Sequence, residues 1–436
     1  MSNNRSIASE LIRFSLPLIM SGILQQLYSW ADAFIVGHAE GELQLGSIGA
    51  TTSISMFLVN TIIGLTYGLS IRAAHEFGRG NREKIRNIMS VFLPVLCILY
   101  IFLAIPAIIL SGSILQFMDT PDEMLEYSLP YLRIILAGIP FLALYNLYTA
   151  LLRALGNTKA AFYSVLISSV LNVLLDILFV AILRYGVEGA AAATLISQIS
   201  MTIFIIVYAS VKYPDILRPR SYRAFDKNIL KGGLSYSLPP AFQNSVISAG
   251  NLILQNFMNS FGAVTVLAIT TAYRVDTIML LPILNLGAAV STMTAQSKGS
   301  GDADRIKSCL KSGLSMMTAV SISLALVMFF FGSAFVAFFG VSGEALSVGR
   351  LFFKDLACFY VLFGIATLLR GVLEGIGDIT FCSIVGIIVL GVRIAFSYIL
   401  DPFVAGRAIA FAEGISWTVF MLIMILRILH KKKDLQ

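Results

Sequence analysis

Gly78-Arg-Gly-Asn-Arg-Glu-Lys-Ile-Arg86 and Gly299-Ser-Gly-Asp-Ala-Asp-Arg-Ile-Lys307 lie 221 positions apart and share both glycines and the isoleucine. Four further positions keep their character. Working outward, a shift of 222 lays Ser15-Leu16-Pro17 on Ser237-Leu238-Pro239, and a shift of 221 brings Gly156-Asn157 onto Gly377-Asp378. One insertion or deletion between the first and second apolar stretches reconciles the offsets. The chain reads as two copies of one unit, and an internal repeat fixes the architecture before any single residue is weighed.

The composition names the solvent. Of the 436 residues 57% are hydrophobic and 13% charged, too little polar surface for a soluble globule. A helix needs roughly 20 apolar residues to cross a bilayer, and such stretches recur from Leu11 to Leu429 with short polar breaks. Segments such as 91–110 and 314–331 are apolar on all sides, which excludes the alternation of a β-barrel. The expected spans are 11–37, 44–76, 88–116, 123–150, 158–182, 187–211, 228–260, 263–297, 306–339, 345–373, 378–400 and 403–429. The first is not read as a cleaved leader, because Pro17, Gln25, Gln26 and Asp32 interrupt it and no small-residue cleavage site follows. The expected fold is an all-α integral membrane protein of about twelve transmembrane helices in two pseudo-symmetric six-helix lobes. The lobes are residues 1–211 and 228–436, joined by a basic linker, 212–227. With an even number of spans per copy the repeats are parallel, a transporter architecture with the substrate site expected between the halves near mid-membrane.

Basic residues orient the chain, since Lys and Arg are retained on the cytoplasmic side. Arg79, Arg82, Lys84 and Arg86 follow the second span, Arg153 and Lys159 the fourth, and Lys212 to Lys231 the sixth. Lys298, Arg305, Lys307 and Lys311 follow the eighth, and Lys431, Lys432 and Lys433 the twelfth. The intervening breaks carry Glu40, Glu42, Asp119, Asp122, Glu123 and Glu344. A multi-pass protein of a bacterial plasma membrane with both termini inside is expected. The net charge of +7 then answers to anionic inner-leaflet lipid and gives no reason to invoke nucleic acid.

Several chemistries are excluded by motif. No Gly-x-x-x-x-Gly-Lys-Ser/Thr occurs, so the glycines of the repeated loop are read as turn formers, with Asn81 and Asp302 capping the next helix. No His-Glu-x-x-His or Gly-x-Ser-x-Gly occurs either, and an enzyme is not expected. Cys97, Cys309, Cys358 and Cys382 are scattered without metal-ligand spacing and read as apolar fillers. No cofactor is expected beyond a coupling ion, H⁺ or Na⁺, and the expected partners are a small-molecule substrate and membrane lipid around a monomer.

Pro17, Asp32 and Val36-Gly37 open the pattern, followed by the Ala-x-x-x-Gly-x-Gly run at Ala74 to Gly80 with Ala295-Gln296 and Gly299 in its copy. Leu152-Arg-Ala-Leu-Gly-Asn-Thr158, Asn172-Val-Leu-Leu-Asp176 and the Gly189 to Gln198 run continue it. In order, spacing and duplication these residues resemble the multidrug and toxic compound extrusion (MATE) family over essentially the whole chain, closer to its bacterial branches, including the DNA-damage-inducible type. The resemblance implies a pair of six-helix lobes exporting amphipathic or cationic compounds in exchange for H⁺ or Na⁺. One departure stands out: some members carry an acidic residue in helix seven, where this chain offers Gln243, Asn244, Asn251 and Gln255. A second-lobe Na⁺ site built on that carboxylate is therefore not expected. A lipid-linked precursor flippase of the wider superfamily is the alternative, and several inward-facing Arg or Lys would favour it.

An ionisable residue at a helix centre costs roughly 2.5–3.5 kcal/mol, so each one asks for a partner or a function. Asp32, Asn172, Asp176 and Thr194 are expected to converge on a coupling cation. Asn172 and Asp176 are four apart and share a helix face, while Asp32 and Thr194 come from helices one and six. Carboxylates gathered away from water hold either a proton or a hard cation such as Na⁺. In the second half Arg274, Asp276, Arg393 and Glu413 offer balanced charge, and Arg393 is expected in reach of Glu413 or Asp276. His75 and Glu76 read as a solvated helix end.

Overall fold

A computed structural model describes residues 2–218 and 226–431, and all regular structure among them is helical. Lys432, Lys433 and the 219–225 part of the basic linker lie outside the described residues. The first half runs α1 (Ser2–Ala39), α2 (Glu42–Gly78), α3 (Arg82–Ile109), the short α4 (Ser111–Phe117), α5 (Asp122–Ala154), α6 (Lys159–Asp176) and α7 (Gly186–Lys212). After the single turn α8 (Pro214–Leu217), the second half runs α9 (Lys227–Asn259), α10 (Gly262–Ser300), α11 (Ala303–Phe338), α12 (Gly343–Ala357), α13 (Tyr360–Gly375), α14 (Ile379–Val404) and α15 (Ala408–His430).

Nine described stretches are long and apolar enough to cross a bilayer, one of them holding both α14 and α15. The pair α12 and α13, bent by 52°, forms a further span. With the 33-residue α9, whose polar face lowers its apolarity, each half carries six helical spans. The outer surface is itself apolar. On α3, Ile85, Ile88, Phe92 and Leu96 are buried, while Ile98 and Phe102, 68% and 72% exposed, turn outward. In water that outer face would be costly; in hydrocarbon it is neutral.

The repeat recurs as geometry. Gly80 and Gly301, at φ 73° and 75°, both take the left-handed turn that a side chain resists. Each is followed by a capping side chain: Asn81 accepts from the Lys84 amide at 3.1 Å and Asp302 from the Arg305 amide at 2.9 Å. The turn also corrects the reading of His75 and Glu76 as a solvated end. Both are buried, because the tight turn folds the start of α3 back so that Arg79 and Lys84 each reach Glu76 at 3.0 Å.

The chain divides into two compact units, Met20–Ala241 and Phe242–Gln436 together with Met1–Ile19. The divisions fall just past Pro17 in α1 and just past Pro239-Pro240 in α9, where proline removes a rung of the helix ladder. The described residues that follow α7, 213–218, belong to the first unit. In that unit Gly64 and Gly68 of α2 lie directly on the α9 backbone at Ala241 and Tyr236, where a Cβ would have no room. In the other, Ile7, Leu11, Phe14 and Leu18 enter one buried cluster with Ala268, Met293 and Ile306, and Glu10 pairs with Arg305 at 2.9 Å.

Candidate cation-binding site

Three helices of the unit Met20–Ala241 carry the expected residues: α1 Asp32, α6 Asn172 and Asp176, α7 Thr194. Packing one turn along each helix sets their facing. Val36, Val180 and Ala190 lie four residues from Asp32, Asp176 and Thr194, and all three join one buried cluster with Tyr131, Val187 and Ala191. That cluster holds the polar residues of the neighbouring turn opposite one another. Ser168 Oγ donates to the Ser197 carbonyl at 3.0 Å and Thr202 Oγ1 to the Phe141 carbonyl at 3.1 Å, fixing α7 against α6 and α5.

The structure places all four residues in one neighbourhood. Asn172 Nδ2 lies 3.5 Å from Thr194 Oγ1, and the carboxyls of Asp32 and Asp176 are within reach of each other. Their remaining oxygens are unsatisfied: Asp32 Oδ1, Asn172 Oδ1 and both oxygens of Asp176 are buried without a hydrogen-bond partner. Buried acceptors without donors cost about 1–3 kcal/mol each, so four together mark a place shaped for a positively charged guest. Asp32 and Thr194 also line a cavity of about 400 Å³, along with Gln25, Asn146 and Gln198. Asp176 is fully buried behind it.

Directly after Asp176 the helix widens to a π-turn over Ile177–Ile182, with the Leu183 amide bonding the Leu178 carbonyl at 2.8 Å. Such turns interrupt the regular ladder and frequently accompany functional sites. Two residues absent from the sequence reading belong here. Tyr28 and Tyr131 both interact electrostatically with Asp32 and Asp176. Tyr28, one turn before Asp32, could have been found by helical spacing; Tyr131, on α5, could not.

In the other unit charged residues pair with one another. Arg393 Nη2 donates to Glu413 Oε2 at 3.1 Å and to Tyr273 Oη at 2.7 Å, and Tyr273 Oη donates to the same Glu413 oxygen at 2.9 Å. Tyr360 Oη donates to Asp276 Oδ1, and Asp276 lies close enough to Glu413 and Arg393 to interact with both. Arg274 is not part of this network; it is exposed and makes no hydrogen bond or ion pair among the described residues. Two residues apart on a helix point to nearly opposite sides, so Arg274 and Asp276 cannot share a face. Tyr273, three before Asp276, takes the place expected for Arg274.

The molecule is thus a helical membrane protein of two six-span repeats, with an unsatisfied oxygen cluster in one and a charge network in the other. The MatE family model matches residues 17–178 and again 239–399, two segments covering most of the chain. The chain belongs to that family. It is 24% identical over 434 residues to the probable multidrug resistance protein YoeA of Bacillus subtilis, covering 97% of this chain and 94% of that one. It is also 24% identical to the probable multidrug resistance protein NorM of Thermotoga maritima, over 87% and 83%. Among solved structures, a MOP superfamily transporter from Pyrococcus furiosus superposes with a TM-score of 0.91 at 23% identity, over 98% and 96%.

Proposed function

We propose that the protein is a secondary active exporter that moves small amphipathic or cationic organic compounds out of a bacterial cell in exchange for H⁺ or Na⁺. The observation that carries this reading is the set of partnerless oxygens on Asp32, Asn172 and Asp176 beside an open cavity. Relatives named as probable multidrug resistance proteins support a small-molecule cargo. The basic breaks at Arg79 to Arg86 and Lys298 to Lys311 face the cytoplasm, with both termini, and a monomer suffices because site and cavity lie within one chain. Asp32, on the cavity wall, meets the incoming ion first, and Asp176 behind it supplies the second carboxylate. Exchange requires ion and substrate to favour different states of the lobe, so that loading one expels the other.

The test is transport of a fluorescent cation such as ethidium by purified protein in liposomes, with pH and Na⁺ gradients imposed separately. Wild type responds to one gradient. Asp32→Asn, normally folded, binds ethidium but no longer accumulates it against its gradient. Wild-type accumulation by that variant would overturn the coupling role of Asp32.

A further inference from the structure

The closed charge network of the second unit borders a cavity of about 260 Å³, lined by Arg393 and Glu413 together with Asn251, Leu254, Phe257 and Ile409. Arg393 makes both its hydrogen bonds through Nη2, and Glu413 accepts both of its own on Oε2. Nε and Nη1, on either side of the bonded Nη2, and the Oε1 atom of the carboxylate are left without partners among the described residues, and none is among the buried unsatisfied atoms. Arg393 and Glu413 thus bring a free donor and a free acceptor to one cavity wall, which Asp276 does not line.

That arrangement discriminates by charge. An anion drawn to Arg393 meets Glu413 beside it, and a cation drawn to Glu413 meets the guanidinium. Repulsion from one member of the pair offsets the attraction of the other, so a full charge gains little there. An uncharged planar group with an acceptor next to a donor meets neither penalty and answers both edges. Leu254, Phe257 and Ile409 offer apolar surface to whatever carries that group, and a cavity of about 150 Å³ already admits a benzene ring.

We propose that this cavity binds an uncharged carboxamide head group, its oxygen on Arg393 and its N–H on Glu413, with an aromatic or aliphatic remainder against the apolar wall. As a substrate subsite this rests on the exporter reading; as a binding site it does not, and equilibrium binding needs no gradient. The probes are benzamide, benzoate and benzamidine, alike in shape and differing in charge, titrated into purified protein in nanodiscs by calorimetry. Benzamide binds about tenfold tighter than either ion, the worth of one hydrogen bond to a charged group. Asn251→Trp, which fills the cavity from an exposed position on α9, weakens benzamide about tenfold or more. Glu413→Gln leaves the pair net positive and moves benzoate ahead of benzamidine. Equal affinity for the three probes, or benzamide binding untouched by Asn251→Trp, overturns the proposal, and the Asn251 variant decides it alone should Glu413→Gln not fold.

Discussion

Repeat-related positions in the two units have opposite electrostatic fates. Asn172 and Asp176 on α6 correspond, 221 positions on, to Arg393 and Ser397 on α14. In the first unit the helix face presents oxygens without a hydrogen-bond partner among the described residues; in the second the same face carries a guanidinium held by Glu413 and Tyr273. The second unit carries a cation in its own side chain, whereas the matching face of the first carries only oxygens. Under the proposed exporter function, coupling falls to the first unit, because a side-chain cation cannot be exchanged. The same divergence appears where α5 and α13 end. Asn157 ties to α7 by donating to the Tyr208 and Tyr213 hydroxyls at 3.0 and 3.1 Å, while Asp378 takes both forks of Arg427 on α15 at 2.6 and 3.2 Å.

The contrast is most exposed to failure in unfolding experiments. Glu413→Leu removes the carboxylate of a largely buried ion pair, leaving Arg393 to Tyr273 and Asp276, and should cost about 3–5 kcal/mol, with most of that recovered in the double variant with Arg393→Met. Asp176→Asn, by contrast, should leave stability unchanged or raised, because it removes one of two neighbouring buried carboxyls. Chemical denaturation in detergent reads both, and strictly additive losses at 393 and 413 would reject the pairing. The turn comparison is smaller. Asp378→Ala should cost about 1.5–3 kcal/mol as the loss of charged hydrogen bonds, and Asn157→Ala about 0.5–1.5 kcal/mol as the loss of neutral ones. Equal Tm shifts for the two would show that charge adds nothing to the clamp. Least affected is Arg274→Gln, expected within about 0.5 kcal/mol because the side chain is exposed and unpaired, so a larger Tm shift would place it in the network after all.

The repeat, the spans and the identity of the carboxylate helices were legible because they depend on local pattern. A 221-residue offset survives in turn glycines, and an i, i+4 pair such as Asn172 and Asp176 declares its common face. What could not be read depends on which helix packs where. Tyr131 and Tyr360 reach their carboxylates from α5 and α13, elements with no sequence spacing to Asp32 or Asp276. The π-turn after Asp176 leaves no signature in Ile177–Ile182, six apolar residues that would sit equally well in a regular helix. Glu76 looked solvated because the segment after it is basic; the turn at Gly80 brings that basic segment back over it. Arg274 was legible in principle and misassigned through charge balance, although helical spacing already set it apart from Asp276.

The packing of residues 7–19 with the second unit has a consequence for synthesis. Ile7, Leu11, Phe14 and Leu18 meet their partners around Ala268, Met293 and Ile306 only after some 250 more residues have left the ribosome. At about 5–20 residues per second that is a wait of roughly 12–50 seconds. In the cytosol so long an interval with four bare apolar side chains would invite aggregation. Within a bilayer the hydrocarbon tails cover them meanwhile, at no more cost than leucine against leucine. The membrane thus acts as a holding chaperone for the first helix until α10 and α11 have followed it.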